Sequence, residues 1–502
     1  MTDNKIKKII ILGGGTSGWM TAAALGKTFN NTHYKIQVIE SEQIGTVGIG
    51  EATIPQIRYY NQLIGIDENE FMKETQATFK LGTKFIDWGT LGGDYHHAFG
   101  QSGKDIGGVQ FYQYWLKIQS LGKANKYENF TLNALASEEK RFMQSIDAGD
   151  SPLSNIPYAF HFDATLFAKY LRKLSEGWGV KCTEGKVTKV NQKANGYINS
   201  LTLEDGSEHQ ADFFIDCSGG EALLIGETLN AEFEDWSHWL PCDRAVSVAS
   251  ESTEEPWSYT QAQAHQAGWQ WRTPLQHSVC NGHVYSSKFT SDDEAKKILL
   301  DNIKGQTSAE PMLIKFKTGY RKESWKKNCL SIGTSSGFLE PLESTSLHLV
   351  QYGIEQLLNF FPTMDFDQED INEYNRQANF QFERIRDFII LHYKVTIRDD
   401  SDFWNYCKTM EVPETVTKKI EQFKKNGHLF RFENEMFDDS NWFQVMNGQG
   451  LTPKGYHPFV DALSEQALAS VMNNISSVMR KSVDFMPSHQ EYINQHCKAD
   501  KK

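Results

Sequence analysis

The sequence predicts an α/β fold: a Rossmann-like sheet with flanking helices at the N-terminus, then an added, mostly helical C-terminal lobe. Three observations carry this. A short apolar run enters a glycine-rich turn and leaves it as an Ala- and Leu-rich stretch. A second strand-like run then ends in an acid, which completes the β-α-β order of a dinucleotide-binding unit. Far downstream, long stretches with helical spacing replace the short strand-like pieces.

Residues 9–12 are uniformly apolar and run into glycines, the pattern of a buried parallel strand. After Gly18 the segment WMTAAALGKTF is rich in helix formers. Residues 35–40, KIQVIE, read as the second strand. Helical spacing returns in FDATLFAKYLRKLSEGWGVKC, residues 162–182, which ends near Gly177 and Gly179. Strand-like pieces follow at residues 186–190 and 197–203, and residues 211–220, ADFFIDCSGG, form another buried-strand pattern running into a glycine turn. From Leu347 two long helical stretches appear, separated by a polar hinge at residues 362–370. The expected division is residues 1–365 as a cofactor- and anion-binding module with inserted substrate-side segments, and 366–502 as a helical substrate-binding lobe.

Composition narrows the partners. The 502 residues carry 51 Lys+Arg against 64 Asp+Glu, a formal charge of -13, which disfavours nucleic acid and anionic membrane surfaces. No apolar run of about 18 residues suggests a membrane span. The apolar start ends in a glycine loop, unlike a secretory cleavage site. Seven cysteines without a C-x-x-C pair favour a reduced, cytoplasmic protein over a disulfide framework. His96-His97 and His161/Asp163 lack the spacing of a metal site, and none is expected.

Gly13-Gly14-Gly15-Thr16-Ser17-Gly18 satisfies G-x-G-x-x-G between strand and helix. Gly13 permits the tight turn, Gly15 lets the backbone approach a pyrophosphate, and Gly18 allows close helix–strand packing. The helix start, with Thr16 and Ser17, offers N–H groups to phosphate, and Glu40 stands about 20 residues on, where a carboxylate meets ribose hydroxyls. Residues 45–55, with Gly48, Ile49, Gly50, Glu51 and Ala52, form a glycine-spaced strap too long for a simple turn, which favours FAD over NAD. Residues 333–346 are again rich in small residues before a helix, so the N–H groups of Thr345 and Ser346 can hold an anion. Glu343, just ahead of them, is a candidate proton acceptor or a helix-capping carboxylate. Residues 269–274, with Trp269, Trp271 and Pro274, form a stiff apolar wall. Lys80, taken alone, reads as an ordinary structural or solvated lysine.

The segments GGGTSGWM, GIGEATIP, FKLGTKF, FDATLFAKYL, FIDCSG, GWQWRTP and GFLEPLESTS resemble, in order and over almost the whole chain, the flavin-dependent halogenases of the tryptophan halogenase family. The resemblance implies an FAD-binding fold of the flavin monooxygenase type. It also implies a reaction in which reduced FAD and O2 give a flavin hydroperoxide that a halide attacks, forming hypohalous acid. By motif, Gly13, Gly15, Gly18 and Glu40 would hold FAD, with Gly48–Glu51 over its ring system, and Val187, Gly333, Phe338 and Leu339 would line it. Thr345 and Ser346 would bind chloride, bromide or iodide; Ser346 stands where some members have Gly. Lys80 would receive the hypohalous acid, as a hydrogen-bond donor or as a haloamine. Glu343 would position the oxidant and stabilise the cationic arene, and Trp269 and Trp271 would keep flavin from substrate. Thr273 replaces the usual apolar residue before Pro274. Phe99 and Trp442 are candidate stacking partners for an indole-like ring.

No second dinucleotide loop is evident for NADH, so FADH2 is expected from a separate flavin reductase. The substrate is expected to be a small aromatic molecule, and homo-oligomers are compatible with the sequence. Two other readings stay open at this level: a flavin-dependent aromatic hydroxylase, and a noncatalytic nucleotide-binding module.

Overall fold

A computed structural model describes residues 4–41 and 50–500. The chain divides into two compact units, each assembled from three separate segments. The first comprises Met1–Ala77, Phe162–His238 and Lys315–Glu383; the second comprises Thr78–His161, Trp239–Ile314 and Arg384–Lys502.

The first unit is built on a six-stranded sheet. Its strands lie in the order Trp325–Lys326, Cys329–Ser331, Phe213–Asp216, Lys8–Leu12, Lys35–Glu40 and Lys181–Glu184. All neighbours are parallel except the Trp325–Lys326 edge. Ile9, Ile10 and Ile11 are fully buried, as a strand covered on both faces requires. The expected first helix spans Thr16–Thr28 and packs on the Ala164–Gly177 helix, which Asp163 caps by accepting from Leu166 N at 2.9 Å. The carboxylate of fully buried Asp216 accepts from the N–H groups of Leu224 and Ile225, both at 2.8 Å, and so fastens the turn after its strand. A satellite sheet of Val187–Gln192, Ile198–Leu203 and Glu208–Gln210 packs on this core.

The second unit contains a seven-stranded sheet in the order Met312–Lys315, Arg244–Glu251, Ser278–Tyr285, Gly268–Pro274, Thr260–His265, Gly82–Ile86 and Asp94–Ala98. A short strand, Thr78–Lys80, pairs antiparallel with Ala159–Asp163. The Asp439–Gly448 helix packs on the Asp94–Ala98 strand, and the helix Glu465–Phe485 packs on Phe111–Ser120. The long helix Gln368–Lys394 carries the chain from the first unit into the second.

Candidate active site

In the first unit the glycine loop is shaped by close approaches. The Gly13 N–H donates to Ile39 O at 2.8 Å, and its φ of +120° is one that glycine alone adopts easily. A Cβ on Gly13 would stand 2.2 Å from the Cys217 carbonyl oxygen, and one on Gly18 would stand 1.9 Å from Gly13 O. The helix that follows starts from extended Gly15 with no side-chain cap and no acid in its first turn. Its N–H groups, with Thr16 and Ser17 leading, therefore keep their partial positive charge for an anion.

Glu40 closes the cradle. Its carboxylate accepts from Trp19 Nε1 at 3.1 Å, Arg172 Nη1 at 2.6 Å and Cys182 Sγ at 3.2 Å. Gly14 lies against it, since a Cβ there would sit 1.7 Å from Glu40 Oε2. Burial, then the hydrogen bond to Glu40, pushes the Cys182 thiol up to about 12, so it stays protonated and donates. A glycine cradle, an uncapped helix start and a carboxylate at the strand end fit the pyrophosphate and ribose of a dinucleotide such as FAD.

Gly48 and Ile49 lie outside the described residues. Gly50, Glu51 and Ala52 form a short strand, and burial raises the Glu51 carboxyl to about 7. The late loop reaches the first one: a Cβ on Gly333, φ +82°, would stand 2.3 Å from Ser17 Oγ. Phe338 pairs with Gly319, and Leu339 is buried beside it. Val187 opens the satellite sheet and packs on the cluster holding Leu12 and Ile39.

Glu343 ends the short turn Pro341–Glu343 and is 3% exposed. Ser344 turns the chain through a left-handed φ of +58°, and Thr345 then starts the Ser346–Asn359 helix, again with no acid in the first turn. The Thr345 hydroxyl is buried without a partner among the described residues. A helix start of this kind, shielded from water, suits a small anion.

In the second unit Lys80 is fully buried on its strand, and its Nζ lies 5.5 Å from the centre of the Phe99 ring. Pairing of Gly82–Ile86 with Asp94–Ala98, continued by Phe99 N donating to Leu81 O at 2.9 Å, brings the two together. The wall residues lie in the Gly268–Pro274 strand, where Trp269, Trp271 and Thr273 share one face and all are buried. Trp271 lies over Gly282 of the neighbouring strand, where a Cβ would meet its ring at 2.0 Å. Trp269 is backed by Trp88, ring centres 6.3 Å apart.

Trp442 is buried on the Asp439–Gly448 helix, with Lys419 Nζ 4.1 Å from its ring centre and Phe388 edge-on at 5.4 Å. Gln444 of the same helix accepts from Ala98 N at 2.9 Å, which docks the helix beside Phe99.

A tryptophan halogenase family profile matches residues 8–465. The chain belongs to the tryptophan halogenase family. It is 32% identical to the tryptophan 6-halogenase ThaL of Streptomyces albogriseolus, over 98% of this chain and 99% of that one. Among solved structures, Xcc4156, a flavin-dependent halogenase from Xanthomonas campestris, superposes with a TM-score of 0.96 at 42% identity over 99% of this chain and all of that one. BrvH, a flavin-dependent halogenase from Brevundimonas sp. BAL3, gives 0.95 at 41% identity over 98% and 99%. This tryptophan halogenase family member is thus an enzyme with the flavin-dependent halogenase fold, α/β with a Rossmann-like cofactor sheet.

The fold gathers Gly13, Gly15, Gly18, Glu40 and Gly333 around one cradle, and separately sets Phe99 beside Lys80. Sequence reasoning missed Arg172 and Cys182 on Glu40, Gln444 behind Phe99, and Lys419 over Trp442. It also passed over Thr78 and Thr260, and weighed His161 only as a metal ligand. Only Gly282, a glycine inside a strand, carried a readable sign of close approach.

Proposed function

We propose that this enzyme carries out FADH2-dependent halogenation of an electron-rich, indole-type arene, with hypohalous acid guided to Lys80. The observation that carries the reading is the full burial of the Lys80 ammonium with its Nζ over the Phe99 ring. Lysine is rarely buried so completely, and a dry ammonium polarises a bound oxidant far more than a solvated one. The arene class comes from the tryptophan halogenases it is similar to.

Bound FADH2 supplies, with O2, the two-electron oxidation that turns halide into hypohalous acid. Gly13, Gly15, Thr16, Ser17 and Gly18 receive its phosphates, Glu40 its ribose, and Gly50–Ala52, Val187, Gly333, Phe338 and Leu339 flank it. The N–H groups of Thr345 and Ser346 hold the halide. Lys80 donates a hydrogen bond to the oxygen of the hypohalous acid, which makes the halogen more electrophilic. The carbon–halogen bond forms as the halogen–oxygen bond breaks; the departing oxygen takes a proton from the Lys80 ammonium and leaves as water, while Glu343 stabilises the cationic arene and takes the ring proton, whose return to Lys80 completes the cycle. Phe99 and Trp442 bound the arene, while Trp269, Trp271 and Pro274 keep it from the flavin.

FADH2 comes from a separate reductase. With FADH2, O2, bromide and indole, bromoindole is expected, and it should vanish without bromide. A protein that binds FAD yet brominates no member of an arene panel would refute the proposal. Hydroxylated product formed without halide would favour the hydroxylase reading.

A further inference from the structure

Lys80 ends a three-residue strand whose backbone pairs with Ala159–Asp163, and side-chain hydrogen bonds add to what holds it. Thr78 shares its face, because side chains two apart on a strand point the same way. Opposite Thr78, on the paired strand, stands His161, fully buried. Lys80 is its diagonal neighbour, within reach of a long side chain.

The hydrogen bonds around His161 determine its state. The Thr78 hydroxyl donates its single proton to Pro274 O at 2.7 Å. Towards His161 Nδ1, 3.1 Å away, Thr78 Oγ1 can therefore only accept, so Nδ1 carries the proton. Nε2, 2.9 Å from Thr260 Oγ1, is left as an acceptor, and Thr260 donates to it. The ring is neutral and in a defined tautomer. Burial holds its pKa well below the usual histidine range, and Lys80 and His489 push it the same way.

These bonds span four strands. Thr78 belongs to the Lys80 strand, His161 to its partner, Pro274 ends the strand of Trp269 and Trp271, and Thr260 opens the next. A second neutral histidine secures the same short strand: His489 Nδ1 donates to Pro256 O at 3.0 Å and its Nε2 accepts from Phe79 N at 3.1 Å. We propose that His161 is a positioning residue for halogenation. Through Thr78 and Thr260 it fixes the Lys80 strand against the tryptophan wall, so that the oxidant is spent on the arene and not released. This rests on the role given to Lys80 above.

The test is halogenation of indole with FADH2, O2 and bromide, with and without an excess of a diketone that consumes free hypohalous acid. Guided oxidant is hidden from the trap, whereas released oxidant is not. Wild-type product is expected to be insensitive to the trap. His161→Phe, of similar size but with neither bond, is expected to lose about tenfold of its product to the trap, the order of loss that a small misplacement of a reacting group causes. His161→Gln can donate to Thr78 and accept from Thr260, and is expected to restore insensitivity. Loss of packing or of FAD alone would lower all turnover and leave the remainder trap-insensitive.

Trap-insensitive product from His161→Phe, or a His161→Gln variant as sensitive as His161→Phe, would overturn the proposal. If His161→Phe does not fold, Thr260→Val removes one donor and decides the matter by the same criterion. Lys80→Ala separates the two levels. Should it keep trap-insensitive product, the Lys80 role fails and the His161 role with it; should it lose product while His161→Phe stays insensitive, only the His161 proposal falls.

Discussion

Lys419 and Glu435 form a fully enclosed ion pair, and its removal gives a calculable result. The ammonium lies 2.8 and 2.7 Å from the two carboxylate oxygens, with side chains 2% and 1% exposed. Phe430 and Phe432 lie near it, as does the Trp442 face. Burial lowers the lysine pKa in spite of Glu435, so desolvation costs the ammonium more than the carboxylate returns. The pair should therefore contribute little net stability, while either half alone should be costly. Glu435→Gln leaves a buried charge unpaired but keeps an acceptor for Phe432 N, now 3.0 Å away, so the loss should be about 3 kcal/mol. Lys419→Met fills the space over Trp442 with a thioether. In combination with Glu435→Gln it should return to within about 1–2 kcal/mol of wild type. Urea titration of the four proteins, followed by tryptophan fluorescence, closes the cycle. A Glu435→Gln loss below about 1 kcal/mol, or a double variant as unstable as the summed singles, would refute the reasoning.

Three further outcomes are expected. Gly14→Ala should displace Glu40, because the new methyl would fall 1.7 Å from its Oε2; FAD affinity should drop at least about tenfold by flavin titration, with circular dichroism unchanged. Lys80→Ala should lower halogenated product by about a hundredfold or more at unchanged FAD affinity, and equal loss of both would argue for a structural lysine. Burial lowers His96, His283, His348 and His489 to about 4 each. Above pH 6.5 folded and unfolded chains both hold them neutral. As pH falls from 6.5 to 4 the unfolded chain takes protons that the folded one refuses, withdrawing up to about 3 kcal/mol per group. Glu51, raised to about 7, opposes this as a single group, since its carboxyl costs stability as pH rises from 4.5 to 7. The melting temperature should therefore fall from pH 6.5 to 5, and a flat profile would contradict the burial of these rings.

Much of the glycine cradle could be read from the chain, because its parts are local. Glycines set backbone conformation where they stand, an Ala- and Leu-rich stretch makes its own helix, and Glu40 ends a strand whose apolar pattern is plain. The Thr16–Thr28 helix and the Lys35–Glu40 strand fall where periodicity puts them. The two wall indoles were legible as a pair, since alternation sends residues 269 and 271 to one face. The role proposed for Lys80 rests on motif order, for nothing local in the sequence distinguishes a buried lysine from a solvated one.

The rest depends on contacts between residues far apart in the chain. That two units each gather three segments, that Gly282 makes room for Trp271, and that Lys419 finds Glu435 are outcomes of packing, to which local pattern is blind. The same holds for His161: in the chain it is one more histidine, and only the fold gives it Thr78 on one side and Thr260 on the other. Backbone geometry and hydrophobic period act over a few residues and are written in order along the chain. Burial and hydrogen-bond partnership belong to the folded chain, and they decide which lysine is dry and which histidine stands between two threonines.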